Sequence, residues 1–324
     1  MFKKDYMKDF KIEGKKILVT GGAGFLGSHL ADNLLKRGAK VAVLDDLSTG
    51  KRSNLNDALK NSNFSFVKGD ANDAETLERI FKNFRPDYAF QYAAVVGVNR
   101  TQKNPLIVLD DLRGIASFFA LAKKYGVKKA VFASSSEVYG EPVKMPNRED
   151  DPLNPKTTYG VVKAVGEEFV KVYNSIGMPG VALRFFNVYG PRQDASSEGF
   201  VVGRFIIQTL AGKRPTVFGD GLQTRDFVYV DDNVEAVIKS LISPKTNGEV
   251  INIVRGKPCT IQELAESVIE VAGKKMKPIH IAPRLAGEIR YRHADGSKMK
   301  KLIGFTPKVE LSEGLKKTID WYRS

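Results

Sequence analysis

The sequence predicts an α/β fold, in which a doubly wound parallel sheet is followed by a smaller mixed α/β domain. Up to about residue 190, short apolar segments alternate with amphipathic ones at the spacing of βαβ units. This pattern is typical of a parallel sheet with helices on both faces. After that point the segments become shorter and more polar. A length of 324 residues also suits one large domain with a smaller companion.

The first βαβ unit is the most informative stretch of the chain. Ile17–Thr20 is a short apolar run with the character of a buried parallel strand, and Lys40–Asp46 is a second one. Between them, Ser28–Arg37 has the pattern of an amphipathic helix. A strand, a glycine-rich turn, a helix and a second strand with an acidic end form the Rossmann-type unit that binds dinucleotides.

Three glycines and one aspartate in this unit fit the parts of a dinucleotide. Gly21 suits the tight turn, Gly24 lets a diphosphate approach the backbone, and Gly27 lets the helix pack closely on the strand. The helix N-terminus favours the diphosphate. Asp45 lies where a carboxylate can accept hydrogen bonds from the adenosine ribose. Its charge favours NAD over NADP, although the basic residues that follow could reach a 2′-phosphate.

The alternation continues through the following βα units. Strands are predicted at Phe64–Lys68, Tyr88–Ala93, Lys129–Ser134 and Val181–Asn187, and helices at Thr76–Phe84, Leu106–Tyr125 and Thr158–Ile176. Small residues at the end of the fourth strand, Ala93 and Ala94, leave room for a ligand at the carboxyl edge of the sheet.

The rest of the chain predicts a second, smaller domain. Helices are predicted at Val201–Ala211, Asp232–Ile242 and Ile261–Ala272, and short strands at Pro215–Phe218 and Phe227–Val230. We therefore divide the chain into an N-terminal extension (1–14), a nucleotide-binding domain (15–190) and a substrate-binding domain (191–324). A segment near 225–242 is expected to return to the nucleotide-binding domain.

Composition and charge exclude several classes of protein. No apolar run approaches the roughly 20 residues of a membrane helix, and the charged N-terminus has no secretory signal. The single cysteine, Cys259, excludes an intrachain disulfide, which agrees with a cytoplasmic location. The formal net charge of +14 comes from scattered lysine pairs. Because the lysine pairs are scattered, we expect a solvated surface and no nucleic-acid partner. We also expect no membrane partner and no metal site.

Two residues of a candidate catalytic group lie on the helix predicted at Thr158–Ile176. Tyr159 and Lys163 are four residues apart, so their side chains share one face of the helix. An ammonium near a phenol favours the phenolate, so we expect a lowered tyrosine pKa and a general base for a sugar hydroxyl. Ser134–Ser136 ends the fifth strand, where a hydroxyl could hydrogen-bond to the reacting oxygen.

Taken together, these segments resemble the extended short-chain dehydrogenase/reductase family, and most closely its NAD-dependent nucleotide-sugar epimerases of the UDP-glucose/UDP-galactose 4-epimerase kind. The resemblance covers nearly the whole chain from Lys16 onward. It rests on TGGAGFLG, Asp45, Gly69-Asp70-Ala71, QYAA, ASSSEVYG, YGVVK, LRFFNVYGPRQ and FGDGLQTRDFVYVDD. It implies NAD as cofactor and a nucleotide sugar, here a UDP-sugar, as substrate. It also implies a homodimer, because helices Leu106–Tyr125 and Thr158–Ile176 resemble the pair that dimerises in this family.

The resemblance implies a role for each matching residue. Tyr159 would be the base, Lys163 its partner and a ligand of the nicotinamide ribose, and Ser135 the second contact to the reacting oxygen. The cofactor-binding residues would be Gly21, Gly24, Phe25, Leu26, Asp45, Asp70, Ala71, Ala93, Tyr159 and Lys163, with Asp70 at the adenine. The substrate-binding residues would be Ser135, Asn187, Val217, Phe218 and Arg225, with Arg225 at the diphosphate.

Three positions depart from the family pattern. The usual His-Leu-Ala-Ala is Gln91–Ala94 here, and the asparagine common in the next helix corresponds to Asp111. The late Arg-Pro-Gly turn reads Leu285-Ala286-Gly287, so a second arginine for the diphosphate is missing. The candidates to replace it are Arg284, Arg290 and Arg292.

Glu137 leaves the outcome of the reaction open. Relatives that dehydrate the sugar pair such a carboxylate with a preceding aspartate, and Ser136 in that place disfavours dehydration. Relatives that decarboxylate a sugar of the UDP-glucuronate type pair serine with glutamate, which Ser136 and Glu137 match. Glu137 could equally be a solvated turn residue. We expect C4 epimerisation first and decarboxylation second, ahead of dehydration, reduction or a non-enzymatic nucleic-acid binder.

Overall fold

A parallel β-sheet forms the centre of the protein. The structure, a computed structural model, describes residues 12–96, 104–196, 200–283 and 289–324. The first six strands of the sheet are β1 (Lys16–Thr20), β2 (Lys40–Asp45), β3 (Phe64–Lys68), β4 (Tyr88–Gln91), β5 (Lys129–Ser135) and β6 (Gly180–Phe185). They lie in the order β6-β5-β4-β1-β2-β3, and every neighbouring pair is parallel. The chain order therefore reverses between β4 and β1, which is where such sheets bind ligands.

In the described part of the chain, four α-helices connect these strands and cover both faces of the sheet. They are α1 (Phe25–Lys36), α2 (Ala74–Phe84), α3 (Asp111–Lys124) and α4 (Thr158–Ser175). The central strands are buried on both sides, so Ile17, Leu18 and Val19 are all fully buried although they alternate between the two faces. Side chains fix where two of the helices begin: Asp73 caps α2 and Thr157 caps α4.

The later part of the chain forms shorter elements. They are β7 (Asn187–Tyr189), α5 (Val201–Leu210), β8 (Thr216–Phe218), β9 (Thr224–Tyr229), α6 (Val230–Ile242), β10 (Glu249–Ile253), β11 (Pro258–Thr260), α7 (Ile261–Val271), β12 (Ile279–Ile281), β13 (Tyr291–Arg292), α8 (Ser297–Ile303) and α9 (Leu311–Arg323). Strand β9 pairs in parallel with β7 and β13 and antiparallel with β11. Strand β8 pairs in parallel with β12.

One later segment completes the central sheet. Strand β10 pairs in parallel with β6 and becomes the seventh strand, and α6 packs against α1. The predicted α/β fold with a doubly wound parallel sheet is thus confirmed. The sequence reasoning expected a return near 225–242, but it did not predict β10, α8 or α9. No helix in the described ranges has the length and apolar character needed to cross a membrane.

Two of the differences between predicted and observed elements lie beside the site. The helix predicted at Leu106–Tyr125 begins as a 3₁₀ turn at Ile107–Asp110, and the α-helix starts only at Asp111. The strand predicted at Val181–Asn187 ends at Phe185. The chain then leaves the sheet, and β7 pairs with β9 instead. At the start of the chain, residues 1–11 lie outside the described ranges, and Ile12 is already buried in the core.

Candidate active site

The glycine-rich turn after β1 leaves room for a diphosphate. Gly21 has a φ of +67°, and a Cβ there would lie 2.7 Å from the backbone nitrogen of Ala93. At Gly27 a Cβ would lie 2.3 Å from the Gly21 carbonyl oxygen, so only glycine lets α1 pack this closely on the turn. The first intrahelical bond is donated by Ser28 N–H to the Gly24 carbonyl, at 3.1 Å. The N–H groups of residues 25 and 26 therefore precede the helical ladder and suit an anion.

The Asp45 carboxylate is held firmly at the end of β2. Its Oδ2 accepts from the Ala23 N–H at 2.9 Å, and its Oδ1 accepts from the Leu47 N–H at 2.8 Å. Burial raises the pKa of the Asp45 carboxyl, while these two hydrogen bonds lower it. Each oxygen keeps a lone pair that could accept a ribose hydroxyl. Arg52 is one of the basic residues after Asp45 that could reach a 2′-phosphate. In the structure its guanidinium lies 5.5 Å from the ring centroid of Phe66 on β3.

The other expected cofactor residues lie at the carboxyl ends of neighbouring strands. Asp70 follows β3, is exposed, and accepts the Asn72 N–H at 2.8 Å. Ala71 beside it is buried. Ala93 follows β4, and its N–H donates to Thr20 Oγ1 at 3.2 Å. These residues line the edge of β4, β1, β2 and β3 in spatial order, which fits an extended dinucleotide.

The structure brings Ser135, Tyr159 and Lys163 together. Ser135 ends β5, and the other two lie on the first turns of α4, where the Thr157 hydroxyl accepts the Gly160 N–H at 3.1 Å. The Lys163 Nζ lies 5.5 Å from the Tyr159 ring centroid and 5.0 Å from that of Phe132. The residue is only 3% exposed. The predicted juxtaposition of these three side chains is therefore present.

The pKa of Tyr159 differs from what the sequence predicted. Burial, and then the charge of Glu137, raise the pKa of the Tyr159 phenol, and a hydrogen bond with Ser135 lowers it only in part. The expected lowering of this pKa is therefore wrong for the chain by itself, because desolvation of a phenolate outweighs the groups that stabilise it. Burial also lowers the pKa of Lys163 to about 8, against an opposing effect of Asp111.

An ion pair that the sequence did not reveal lies beside the phenol. Arg292 Nη2 contacts Glu137 Oε1 at 2.6 Å, and their side chains are 17% and 25% exposed. Glu137 is therefore paired and is not a freely solvated turn residue. Of the other arginines considered for the diphosphate, Arg290 pairs with Asp220 at the surface, and Arg284 lies outside the described residues, as does the turn at 285–287.

Apart from Ser135, the expected substrate residues lie on the later strands. Arg225 on β9 is the register partner of Arg292 on β13, and its Nη1 donates to the Thr224 carbonyl at 2.8 Å. Asn187 Nδ2 donates to the Asp226 carbonyl at 3.2 Å. Val217 is completely buried. Phe218 next to it is half-buried, and the contact of these two residues with a nucleobase stays a prediction.

A buried ionic network lies next to the candidate catalytic residues and joins α4 to β5 and β6. Arg184 on β6 donates through Nε to Glu167 Oε1 at 2.8 Å and through Nη2 to Oε2 at 2.7 Å. Ser134 Oγ donates to the same carboxylate. Glu167 lies four residues after Lys163, on the same face of α4. Its hydrogen bonds with Ser134 and Arg184 therefore hold this face of α4 against β5 and β6. The sequence analysis did not predict this network. The spacing of Lys163 and Glu167 indicated only that the two side chains share one face of the helix.

Comparison with known families places these features in a group. The family model described as the NAD dependent epimerase/dehydratase family matches residues 17–254. A putative UDP-glucose 4-epimerase of Methanocaldococcus jannaschii is 38% identical, over 95% of this chain and 98% of the relative. A UDP-N-acetyl-alpha-D-glucosaminuronate decarboxylase of Bacillus cytotoxicus is 36% identical, over 95% of this chain and 98% of that one.

Solved structures agree with this grouping. The UDP-glucose 4-epimerase of Thermotoga maritima with UDP-glucose superposes with a TM-score of 0.90 at 38% identity, over 95% of this chain and 98% of that one. The UDP-glucose 4-epimerase of Thermus thermophilus in complex with NAD gives a TM-score of 0.86 at 37% identity, over 95% of this chain and 99% of that one. The resemblance drawn from the motifs and the expectation of NAD as cofactor are both confirmed.

Proposed function

The chain belongs to the NAD-dependent epimerase/dehydratase family, and from that premise we propose that it is a UDP-sugar 4-epimerase, which inverts C4 of the sugar through a transient 4-keto intermediate. The observation that carries the proposal is the cluster of Ser135, Tyr159 and Lys163 beside the nucleotide crevice. Besides NAD⁺ as hydride acceptor and donor, epimerisation needs only one base, one hydrogen-bonding partner and space for the sugar to turn. Several relatives that match nearly the full chain are named as epimerases.

The cofactor would lie along the carboxyl edge of the sheet. The turn at Gly21–Gly27 and the start of α1 would hold the diphosphate, Asp45 the adenosine ribose and Asp70 the adenine. Lys163 would hold the nicotinamide ribose. When bound, NAD⁺ accepts a hydride from C4 of the sugar and returns it to the opposite face.

The chain's own residues would manage the proton and the position of the sugar. Tyr159 Oη would take the proton of the C4 hydroxyl and later return it, while Ser135 Oγ donates a hydrogen bond to the same sugar oxygen. Arg225 would hold the diphosphate through its forked donors. With the nucleotide anchored there, the 4-keto sugar can rotate about the diphosphate without leaving the site.

Substitution of Tyr159 tests this proposal. Tyr159→Phe removes only the ionisable oxygen, so we expect turnover of UDP-glucose to fall by at least about 10²-fold, while NAD still binds. Tyr173→Phe, on the same helix and away from the site, is the matched control and should keep full activity. UDP-galactose formation measures the rate, and near-normal turnover by Tyr159→Phe would remove that residue from the mechanism.

The Glu137–Arg292 ion pair favours a second candidate function, decarboxylation of a UDP-sugar acid. Oxidation at C4 would make a C6 carboxylate a β-keto acid, which loses CO₂ readily. The guanidinium of Arg292 could bind such a carboxylate, and Glu137 could act beside Tyr159 as a positioned acid or base. Incubation with UDP-glucose, UDP-N-acetylglucosamine and UDP-glucuronate separates the two, because epimers keep the mass of the substrate and decarboxylation lowers it.

We also propose that the protein is a homodimer. Exposed apolar side chains lie on or at the end of α4 and on or next to the 3₁₀ turn before α3, namely Leu106, Ile107, Leu109, Val161, Val172 and Ile176. Apolar groups concentrated on neighbouring elements are typical of an interface between subunits. Light scattering should give twice the mass of the chain, and Val172→Glu should reduce it to the monomer. A monomeric parent protein would contradict this proposal.

A further inference from the structure

Asp111 is a buried carboxylate that the proposed chemistry does not use. It is the first residue of α3 and is only 4% exposed. Its Oδ2 accepts the Val95 N–H at 2.8 Å, and its Oδ1 accepts Asn72 Nδ2 at 3.2 Å. Among the described residues, no Lys, Arg or His nitrogen lies within ion-pair distance of either oxygen. Within the described ranges, therefore, two neutral donors hold this carboxylate and no counterion contacts it directly.

A buried cation that no described carboxylate contacts lies on the neighbouring helix. Lys163 on α4 faces the aromatic rings of Tyr159 and Phe132, and no acceptor in the described part of the chain takes a hydrogen bond from its Nζ. Helices α3 and α4 pack against each other. Since charges at a distance act more strongly where little water separates them, each of these groups stabilises the ionised form of the other.

We propose that Asp111 is the counter-charge that keeps Lys163 protonated, and thereby a positioning residue that acts on Tyr159 through Lys163. This inference rests on the proposed role of the Tyr159–Lys163 pair. The pKa directions agree with it. Burial lowers the pKa of Lys163, and Asp111 is the one group in the described part of the chain that raises it. Burial likewise raises the pKa of Asp111, and the hydrogen bonds from Val95 and Asn72 and the charge of Lys163 act to lower it. Asp111 also raises the pKa of Tyr159 directly, but less than burial and Glu137 do.

The surroundings of Asp111 tie this charge to the adenine side of the crevice. Asn72, which donates to Asp111, follows Asp70 in the loop after β3, and the charge of Asp70 raises the pKa of Asp111. Gly114 lies one turn into α3, and a Cβ there would lie 2.1 Å from Asn72 Oδ1. Only a glycine at this position leaves room for the Asn72 side chain. The carboxylate is therefore positioned by the loop that the cofactor is expected to touch.

The direct test is the pKa of Lys163 itself, measured by NMR on protein labelled with ¹³Cε-lysine, with the signal assigned by Lys163→Arg. Asp111→Asn keeps the shape of the side chain and removes the charge, so it should lower this pKa by on the order of one pH unit. Asp110→Asn is the matched control, because it removes the same charge from an exposed neighbour. An unchanged Lys163 pKa in Asp111→Asn would overturn the proposal.

Two further measurements keep the outcome clear. In turnover of UDP-glucose, the high-pH limb of kcat should move to lower pH in Asp111→Asn, because Lys163 loses its proton earlier. The NMR result does not depend on turnover, so it decides this inference even if the proposed reaction fails. If Asp111→Asn does not fold, Lys163→Met supplies the reciprocal test, since the coupling is mutual. In Lys163→Met, one aspartate ¹³C signal, that of Asp111, should titrate at higher pH than in the parent protein. An unchanged Asp111 pKa would overturn the proposal.

Discussion

The most discriminating variant is Glu137→Gln, because it separates the two candidate reactions. In the structure the carboxylate raises the pKa of the Tyr159 phenol, and it is itself neutralised in part by Arg292 at 2.6 Å. The amide keeps the size of the side chain and can still accept a hydrogen bond from the guanidinium. An epimerase does not use this charge, so the rate with UDP-glucose should stay within about tenfold, a change in the barrier of under ~1.4 kcal/mol.

The pH dependence of the same variant has a defined sign. Removal of the negative charge lowers the pKa of Tyr159, so the phenolate forms at lower pH and the acidic limb of kcat should move to lower pH. A decarboxylase would use Glu137 directly, and its loss should then cost on the order of 10²–10⁴ in rate, about 3–5 kcal/mol. UDP-galactose formation and CO₂ release measure the two reactions.

The control for this variant is Glu141→Gln, an exposed carboxylate in the loop that follows. It should leave both the rate and the pH profile unchanged. A hundredfold loss in Glu137→Gln alone, with UDP-glucuronate consumed by the parent protein, would refute the epimerase interpretation. The ion pair is partly buried, so breaking it should also lower the free energy of unfolding by about 1–3 kcal/mol. Thermal unfolding must therefore show that the variant is folded at the assay temperature.

Two predictions concern the cofactor. Asp45→Ala should weaken NAD binding by about tenfold or more and narrow its advantage over NADP, as measured by calorimetry, since the carboxylate that repels a 2′-phosphate is gone; equal affinity of the parent protein for both would contradict the role of Asp45. Gly27→Ala should abolish NAD binding, because its Cβ would lie 2.3 Å from the Gly21 carbonyl oxygen. Gly126→Ala at the end of α3 is the control: its φ of +72° strains the backbone, but a Cβ there meets no atom within 4 Å, so it should lower stability and leave NAD affinity unchanged.

The nucleotide-binding half of the fold could be predicted because its signals are local. The glycines, the terminal aspartate of β2 and the spacing of Tyr159 and Lys163 lie within single elements, where pattern alone is informative. Strand β10 could not be predicted in this way. It is short and carries little periodicity, and its place in the sheet depends on pairing with β6, which lies far earlier in the chain.

The charge state of the site was the least predictable part. The Glu137–Arg292 ion pair joins a strand end of the central sheet to β13, and no local pattern indicates which arginine makes it. The raised pKa of Tyr159 follows from burial, which depends on how the helices and loops close around α4. The sequence showed Asp111 only as a departure from a family pattern, and its burial and hydrogen bonds appear only in three dimensions.

The central claim, inversion at C4 through Tyr159 and bound NAD, is tested most directly with UDP-glucose that carries deuterium at C4. If the hydride leaves C4 and returns within one site, UDP-galactose should form with the deuterium retained at C4 and with no hydrogen taken up from solvent. The two sugars should reach the same equilibrium from either side, and the product mass should equal that of the substrate. Loss of the deuterium to solvent, or no conversion of UDP-glucose beside release of CO₂ from UDP-glucuronate, would contradict the account.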